Sequence, residues 1–185
     1  MKIDFVDDKT YSYVTIQNVF ESKEFDLIKN YAKEFKPGDH FLNCKNEHFD
    51  LLQEKAWKIH SEIFDTLLSK TDRPLNPYIK DKQRSSFFRI QLKRLRPGFT
   101  RNKIHRDSDW KQFVVVIYLS DQGTGTKLYK ENNPSSHYKT IPFEPNSAYA
   151  HIPCSQSWHD FDHSIKFDKD RLSIMFILTD TRWYV

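Results

Sequence analysis

The spacing of hydrophobic residues changes from a helical to an extended pattern along the chain. Apolar residues recur every three or four positions over 22–35 and 47–70, which is typical of amphipathic helices. Ser22 precedes the first run and is the candidate N-cap, and Pro37-Gly38 follows its end. A short alternating segment, 11–16, precedes both helices and predicts an edge strand.

Short extended segments follow a proline-containing break at 71–77. They are 87–95, 104–107, 112–119, 127–129, 138–141, 148–152, 158–161 and 172–179. Short strands that follow helices predict an α+β fold. The specific prediction is a double-stranded β-helix, a cupin-like jelly roll of two antiparallel sheets, with the N-terminal helices packed on one sheet.

The length of 185 residues predicts a single domain, 1–185. Its helical support spans about 1–80 and its jelly-roll core about 85–180. The mean hydropathy of −0.74 is low, but fifteen Phe, nine Tyr and four Trp can fill a core. Because no apolar stretch approaches the roughly 18 residues needed to cross a bilayer, and no apolar run follows Met1, we expect a cytoplasmic protein without a membrane partner.

The net charge of +4 and the pI of about 8.9 are mildly basic. The densest positive cluster is Lys93-Arg94-Leu95-Arg96, followed by Arg101 and Lys103. One interpretation is a charged strand edge that discourages pairing with another chain. The other is a basic rim that attracts phosphates or an acidic substrate. Cys44 and Cys154 lack metal-binding or redox spacing, which predicts free thiols.

His105 and Asp107 are the first candidates for chemistry. In an extended segment, residues two apart point the same way, so both side chains can face one metal ion. Two histidines and one carboxylate form the facial triad that suits non-haem Fe(II) and leaves adjacent positions open. The candidates for the second histidine are His151, His159 and His163, and a histidine that does not bind the metal is expected on the surface or beside the metal ligands.

These residues, within about 87–176, resemble the 2-oxoglutarate and Fe(II)-dependent oxygenases, in the broad group that includes prolyl hydroxylases. The resemblance implies that His105, Asp107 and His159 bind the metal. It implies that Arg171 binds the far carboxylate of 2-oxoglutarate, assisted by Ser173, and that Tyr118 contacts the same cosubstrate. The chemistry agrees, since a buried carboxylate needs a partner such as the guanidinium fork of arginine.

The resemblance also implies an activity. The expected protein is an Fe(II)- and 2-oxoglutarate-dependent dioxygenase that uses O2, with ascorbate as a candidate activator. It would hydroxylate an unactivated C–H bond and convert 2-oxoglutarate to succinate and CO2. The expected substrate is a small molecule or a peptide, with a prolyl or another amino-acid side chain as the target. Leu95-Arg96-Pro97-Gly98 departs from the tyrosine that many prolyl hydroxylases have before this Pro-Gly pair.

Several alternatives stay open. The basic cluster favours a nucleic-acid demethylase of the same family as the second candidate. A non-catalytic cupin-like metal-binding protein is a third, and an oxygenase or metal isomerase without 2-oxoglutarate a fourth; the last two need no arginine at position 171. Asp109 and Trp110 either line a substrate entrance or lie in a solvated loop. Arg89 and Gln91 share one strand face, which points either to substrate or to solvent.

Overall fold

The computed structural model describes residues 1–8, 11–70, 86–98, 103–108, 110–123, 125–161 and 168–180. The sequence interpretations that involve 71–77, Arg101, Asp109 and His163 lie outside these ranges. The helices are α1, Ser22–Glu34, and α2, Phe49–Ser69. The strands are β1, Lys2–Val6; β2, Tyr13–Gln17; β3, Gly38–Leu42; β4, Ser86–Leu95; β5, Lys111–Tyr118; β6, Thr126–Tyr129; β7, His137–Ile141; β8, Ser147–His151; β9, Trp158–Phe161; and β10, Arg171–Asp180.

Two antiparallel sheets form the body of the molecule. The larger has seven strands in the order β1-β2-β8-β5-β10-β4-β3, and the smaller has three in the order β7-β6-β9. Every pairing between these strands is antiparallel. The order is far from sequential, as expected where strands alternate between the sheets of a jelly roll. The predicted double-stranded β-helix is therefore confirmed.

Both helices pack on the same face of the larger sheet, as predicted. Helix α1 contacts β4 and β10, and α2 contacts β2 and β4. The buried stripe of α2 repeats at intervals of three and four residues, which places it on one side of the helix. Its fully buried members are Leu52, Ala56, Ile59, Ile63 and Leu67. None of the helices in the described ranges is long and apolar enough to cross a membrane.

The alternation of side chains along the central strands separates a hydrophobic face of the larger sheet from a polar face. Phe88, Ile90 and Leu92 of β4 belong to the core beneath the helices, so Arg89, Gln91 and Lys93 must point to the opposite face. The same rule places Leu172 and Ile174 of β10 in the core. The opposite face is turned to the smaller sheet. The polar side chains that alternate with the core residues therefore lie between the two sheets.

Four predictions about local structure were wrong. Strand β2 is not an edge strand, because β1 pairs with its outer side. The first residue of α1 is Ser22 itself, and the backbone N–H of Glu21 donates to the Glu24 carboxylate at 3.0 Å in a capping box. Segment 104–107 is not a strand but makes a single bridge to β9. The basic cluster does not lie on a sheet edge, because β3 covers that side of β4.

Candidate metal centre

His105, Asp107 and His159 converge although they are distant in sequence. The backbone N–H of His105 donates to the carbonyl of His159 at 3.0 Å, and the N–H of His159 donates back at 2.9 Å. This bridge sets the two imidazole rings side by side, with centroids 4.5 Å apart. One ligand atom from each of the three side chains lies within 4.8 Å of the others. The structure therefore brings together the three residues that the sequence proposed as a triad.

Both imidazoles are held so that the same nitrogen faces the centre. Nδ1 of His105 lies 2.8 Å from the carbonyl of Lys103, and Nδ1 of His159 lies 2.9 Å from the carbonyl of Ser157. A carbonyl can only accept, so each Nδ1 carries the proton and each Nε2 keeps its lone pair. Burial lowers the pKa of His159 to about 3, so this ring is neutral near pH 7.

The carboxylate of Asp107 is buried and ionised. Burial alone would raise its pKa, but the neighbouring His151 and the charge of Lys111 outweigh that effect and hold the pKa well below its usual range. Lys111 donates to Oδ1, whereas Oδ2 faces Nε2 of His159 at 3.8 Å. His151 Nε2 approaches Oδ2 to 3.2 Å but without hydrogen-bond geometry. Among the described residues, no hydrogen-bond donor reaches Oδ2, which is a buried anionic oxygen.

This donor set fits a divalent transition metal. A buried ionised oxygen without a partner is costly unless a cation neutralises it. Two neutral imidazole nitrogens and one carboxylate oxygen on the same side of a centre match the facial arrangement typical of non-haem Fe(II). The orphaned Oδ2 of Asp107 is the observation of this structure that supports a metal here.

A cavity of about 270 Å³ opens beside the triad. Its floor is the polar face of the larger sheet, and its far wall comes from the smaller sheet. The lining side chains beyond the triad belong to Asp39, Gln91, Lys93, Lys111, Val116, Thr126, Asp160, Phe161, Arg171, Ser173 and Met175. The triad and Arg171 therefore border the same cavity.

Arg171 is almost completely buried in this cavity wall. Its guanidinium carbon lies 5.1 Å from the Phe143 ring and 5.5 Å from the Phe161 ring, and Nη1 lies 3.3 Å from Oγ of Ser173. Burial lowers the pKa of Arg171, and the nearby Tyr118 opposes that shift. A buried guanidinium among aromatic rings is suited to binding a carboxylate through two parallel hydrogen bonds.

Tyr118 lies behind this wall. Its ring is fully buried, 5.8 Å from the Arg171 guanidinium carbon, and its hydroxyl is 2.7 Å from Oγ1 of Thr126. Thr126 lines the cavity, whereas Tyr118 is not among the lining residues. The contact between Tyr118 and 2-oxoglutarate therefore stays a prediction, and Thr126 is a cavity hydroxyl that the sequence analysis did not single out.

His151, one of the alternative second histidines, is next to the triad without being part of it. Its ring is fully buried, stacks on Tyr149 with centroids 5.0 Å apart and lies 5.2 Å from the His159 ring. Burial excludes a surface position. A place beside the metal ligands was one of the two expectations for His151, and its contact with Asp107 agrees with it. The sequence did not identify Asp107 as the partner, because the pairing of β8 with β5 brings His151 to the site and no sequence spacing links the two residues.

The strand face that Arg89 and Gln91 share is turned to the cavity side of the larger sheet. Gln91 lines the cavity, and Lys93, two residues further along β4, lines it too. The guanidinium carbon of Arg89 lies 4.3 Å from the Phe41 ring and 5.3 Å from the Trp110 ring. Lys93, Lys111 and Asp39 were missed as cavity residues; the alternation of β4 was the one signal that could have found Lys93.

Comparison with known proteins supports the architecture. No protein-family model and no curated protein matches the sequence, but solved structures match the fold. A viral collagen prolyl hydroxylase from Paramecium bursaria Chlorella virus-1 aligns with a TM-score of 0.62 at 13% identity, over 92% of this chain and 90% of that chain. A Pseudomonas putida prolyl-4-hydroxylase aligns with a TM-score of 0.59 at 13% identity, over 91% and 92%.

A third structure extends the likeness beyond prolyl hydroxylases. An oxidoreductase of the 2OG-Fe(II) oxygenase family from Burkholderia pseudomallei aligns with a TM-score of 0.57 at 12% identity, over 90% of this chain and 84% of that chain. At such low identities the likeness concerns the fold. The chain therefore has the fold of the 2-oxoglutarate and Fe(II)-dependent oxygenases, of the prolyl hydroxylase-like type.

Proposed function

We propose that this chain is an Fe(II)- and 2-oxoglutarate-dependent dioxygenase that hydroxylates an unactivated C–H bond. The carrying observation is that one cavity of about 270 Å³ is bordered both by the His105, Asp107 and His159 triad and by the buried Arg171. A metal-binding protein without 2-oxoglutarate has no need for a buried guanidinium on the wall of its metal cavity.

The triad residues would hold the iron. Nε2 of His105, Nε2 of His159 and Oδ2 of Asp107 are the donor atoms, since the remaining polar atoms of these side chains already have partners. Bound iron and 2-oxoglutarate would supply the oxidising chemistry, in which O2 and 2-oxoglutarate give succinate, CO2 and a hydroxylated substrate. Lys111, through its ion pair with Oδ1, would keep Asp107 ionised and would orient Oδ2 toward the metal.

Arg171 and Ser173 would bind the far carboxylate of 2-oxoglutarate. The Arg171 guanidinium offers two parallel donors and Ser173 adds a hydroxyl. Each hydrogen bond to a charged group contributes roughly 1.5–3 kcal/mol. The surrounding rings of Phe143 and Phe161 exclude water, which strengthens the ion pair. Tyr118, with its hydroxyl bonded to Thr126, would support the guanidinium from behind.

An amino-acid side chain, prolyl or other, is the proposed target of hydroxylation. The support is the likeness in fold to two prolyl hydroxylases, over about nine-tenths of the chain. The cavity of about 270 Å³ beside the triad is close to the size of small-ligand sites.

The nucleic-acid alternative has less support from the basic cluster. Lys93 points into the cavity. Arg94 makes an ion pair with Asp170 at 2.5 Å and donates to the carbonyls of Lys33 and Phe35 at the end of α1. The described part of the cluster is thus divided between two sides of the sheet, which differs from the continuous basic surface that phosphate backbones favour.

The test is turnover of 2-oxoglutarate by purified protein with Fe(II) and O2. Succinate and oxygen uptake are measured in the presence of a mixture of amino acids and peptides, beside His159→Ala. The proposal predicts equimolar succinate formation and oxygen uptake in the wild type and neither in the variant. Iron-loaded protein that binds the metal through His159 but consumes no 2-oxoglutarate under any of these conditions would contradict it.

A further inference from the structure

One wall of the cavity carries a carboxylate, an amide and an ammonium group on two neighbouring strands. Asp39 of β3 pairs with Lys93 of β4, and Phe41 pairs with Gln91. On the other side of β4, Lys93 pairs with Ser173 of β10, and Gln91 with Met175. Since neighbouring strands lie about 4.8 Å apart, these side chains form two adjacent rows along this wall of the cavity. Asp39, Gln91 and Lys93 are here called the polar wall.

The groups of the polar wall are weakly engaged with one another. Nζ of Lys93 lies 3.7 Å from Oδ1 of Asp39, beyond the usual 2.7–3.2 Å of a hydrogen bond. The two side chains are 21% and 47% exposed, so the pair is neither sealed nor fully solvated. The Gln91 amide has no hydrogen bond to the rest of the described chain. Such half-satisfied groups at a cavity surface are typical of sites that bind polar ligands.

Two cations, Arg171 and Lys111, act on Lys93 together with the single carboxylate of Asp39. Burial lowers the pKa of Lys93, Asp39 opposes that shift, and Arg171 and Lys111 lower the pKa further. An anion beside Lys93 would relieve this repulsion. Of the two described cations that act on Lys93, Arg171 packs against the Phe143 ring and Lys111 makes an ion pair with Asp107.

An apolar strip separates the polar wall from the triad. Met175 of β10 pairs with Val116 of β5, and both line the cavity between β4 and the metal side. A ligand whose charged groups lie at the polar wall would therefore lay an apolar segment over Met175 and Val116. Its far end would point toward His105, Asp107 and His159.

From this layout we infer that the substrate is a free α-amino acid with an apolar side chain, bound at the polar wall. Lys93 binds the α-carboxylate, Asp39 binds the α-ammonium, and the Gln91 amide hydrogen-bonds to either. The long Lys93–Asp39 contact is replaced by two shorter ion pairs of opposite polarity. A residue inside a peptide has neither charge, because both groups are in amide bonds, so it gains nothing from this wall.

This inference rests on the proposed function, because the triad end is taken as the reacting end. It also separates two roles that Lys93 can have. If Lys93 were a second cation for 2-oxoglutarate, its loss would weaken cosubstrate binding. If Lys93 belongs to the amino-acid site, its loss leaves cosubstrate affinity in place and weakens the amino acid alone.

The experiment is anaerobic titration calorimetry of the Fe(II)- and 2-oxoglutarate-loaded protein with the common free amino acids. The strongest binder is then compared with its carboxamide and its N-acetyl derivative. We expect each derivative to bind about tenfold more weakly or worse, because each lacks one charge-assisted contact. Equal affinity for all three forms would overturn the inference.

Two variants assign the charges. Lys93→Met should weaken the free acid about tenfold or more and leave the carboxamide unchanged. Asp39→Asn should weaken the free acid similarly and leave the N-acetyl form unchanged. Lys139→Met removes a lysine on the exposed strand β7 and should change neither. Weaker binding of 2-oxoglutarate in Lys93→Met, with amino-acid binding retained, would assign Lys93 to the cosubstrate and overturn the inference.

The outcomes distinguish this inference from the proposed function. Protein that binds and turns over 2-oxoglutarate but binds no free amino acid refutes the amino-acid site and leaves the oxygenase proposal standing. Protein that binds Fe(II) but neither binds nor turns over 2-oxoglutarate removes both.

Discussion

Oδ2 of Asp107 lies 3.8 Å from Nε2 of His159, and no hydrogen-bond donor of the described chain completes its shell. The other carboxylate oxygen, Oδ1, accepts from Lys111. The carboxylate is therefore divided into one oxygen that is fixed by the protein and one that faces the two imidazoles. This division defines the metal-facing atoms and makes Lys111 the group that orients them.

Lys111→Met should weaken Fe(II) binding about tenfold to a hundredfold, the usual cost of losing a group that orients a ligand. The reason is that Asp107 would lose its fixed orientation, and that its pKa would rise without the charge of Lys111, so that protons would compete better with the metal. Metal titration under anaerobic conditions measures the change. Lys139→Met on the exposed strand β7 is the matched control and should bind iron normally. Identical iron affinity in Lys111→Met would show that Asp107 is oriented by other contacts.

Arg171→Ala should raise the 2-oxoglutarate concentration needed for half-saturation about a hundredfold or more, because two charge-assisted hydrogen bonds are lost. Iron binding should be retained, since Arg171 is not one of the three ligand residues. Arg171→Lys keeps the charge but loses the two parallel donors, so its half-saturating concentration of 2-oxoglutarate should lie between those of the wild type and Arg171→Ala. Arg96→Ala, an exposed arginine on the sequence that follows β4, should behave like the wild type. An unchanged requirement in Arg171→Ala would remove this residue from the cosubstrate site.

Tyr11 and Tyr149 predict a loss of stability at alkaline pH. Their hydroxyls lie 2.6 Å apart in a fully buried contact, and burial raises both pKa values well above 10. The folded pKa exceeds the unfolded pKa, so the stabilisation is complete below about pH 10 and is lost as the pH rises through the folded pKa. Each tyrosine contributes up to about 1.4 kcal/mol per pH unit in that window.

Urea unfolding of the wild type and of Tyr11→Phe over about pH 8–11 measures this dependence. The free energy of unfolding should fall more steeply with pH in the wild type, because the variant has one fewer buried phenol. Parallel curves for the two proteins would show that the Tyr11 phenol stays un-ionised in the unfolded chain as well, or is not buried as described.

Gly125 is required by a close approach between backbones. A Cβ at this position would lie 1.7 Å from the carbonyl oxygen of Ile141, on the neighbouring strand of the smaller sheet. Gly125→Ala should therefore destabilise the protein by about 3 kcal/mol or more, because a backbone atom cannot move aside as a side chain can. At Gly98 a Cβ meets no atom within 4 Å, so Gly98→Ala should cost only about 1–2 kcal/mol, the strain of a side chain at a φ of +79°. Thermal unfolding of the two variants gives the comparison.

The central strands could be predicted because strong local patterns define them, whereas the choice of His159 for the triad came from the family resemblance. Strands β4, β5 and β10 carry long alternations or apolar runs. His105 and Asp107 stand two residues apart, and His159 lies in a strand that the sequence located correctly. A bridge between two antiparallel segments is then enough to unite the three side chains.

The polar wall could not be predicted in full because it depends on β3. Gly38–Leu42 is short, polar and partly exposed, so its sequence gives no strand signal, and its register against β4 alone brings Asp39 beside Lys93. The same limit applies to β1, whose absence from the prediction made β2 look like an edge. His151 reaches Asp107 through sheet pairing, which local sequence does not encode. The ion pair of Lys111 with Asp107 is local, four residues along the chain, and the opposite charges at this spacing were the signal that could have found it.

The most direct test of the account is the anaerobic optical spectrum of the purified protein with Fe(II) and 2-oxoglutarate, recorded beside His159→Ala. The account predicts a visible metal-to-ligand charge-transfer band in the wild type and its absence in the variant, because the cosubstrate would chelate iron at this triad. Absence of the band in the wild type, with iron bound and 2-oxoglutarate in excess, would contradict the account and favour a cupin-like metal protein without this cosubstrate.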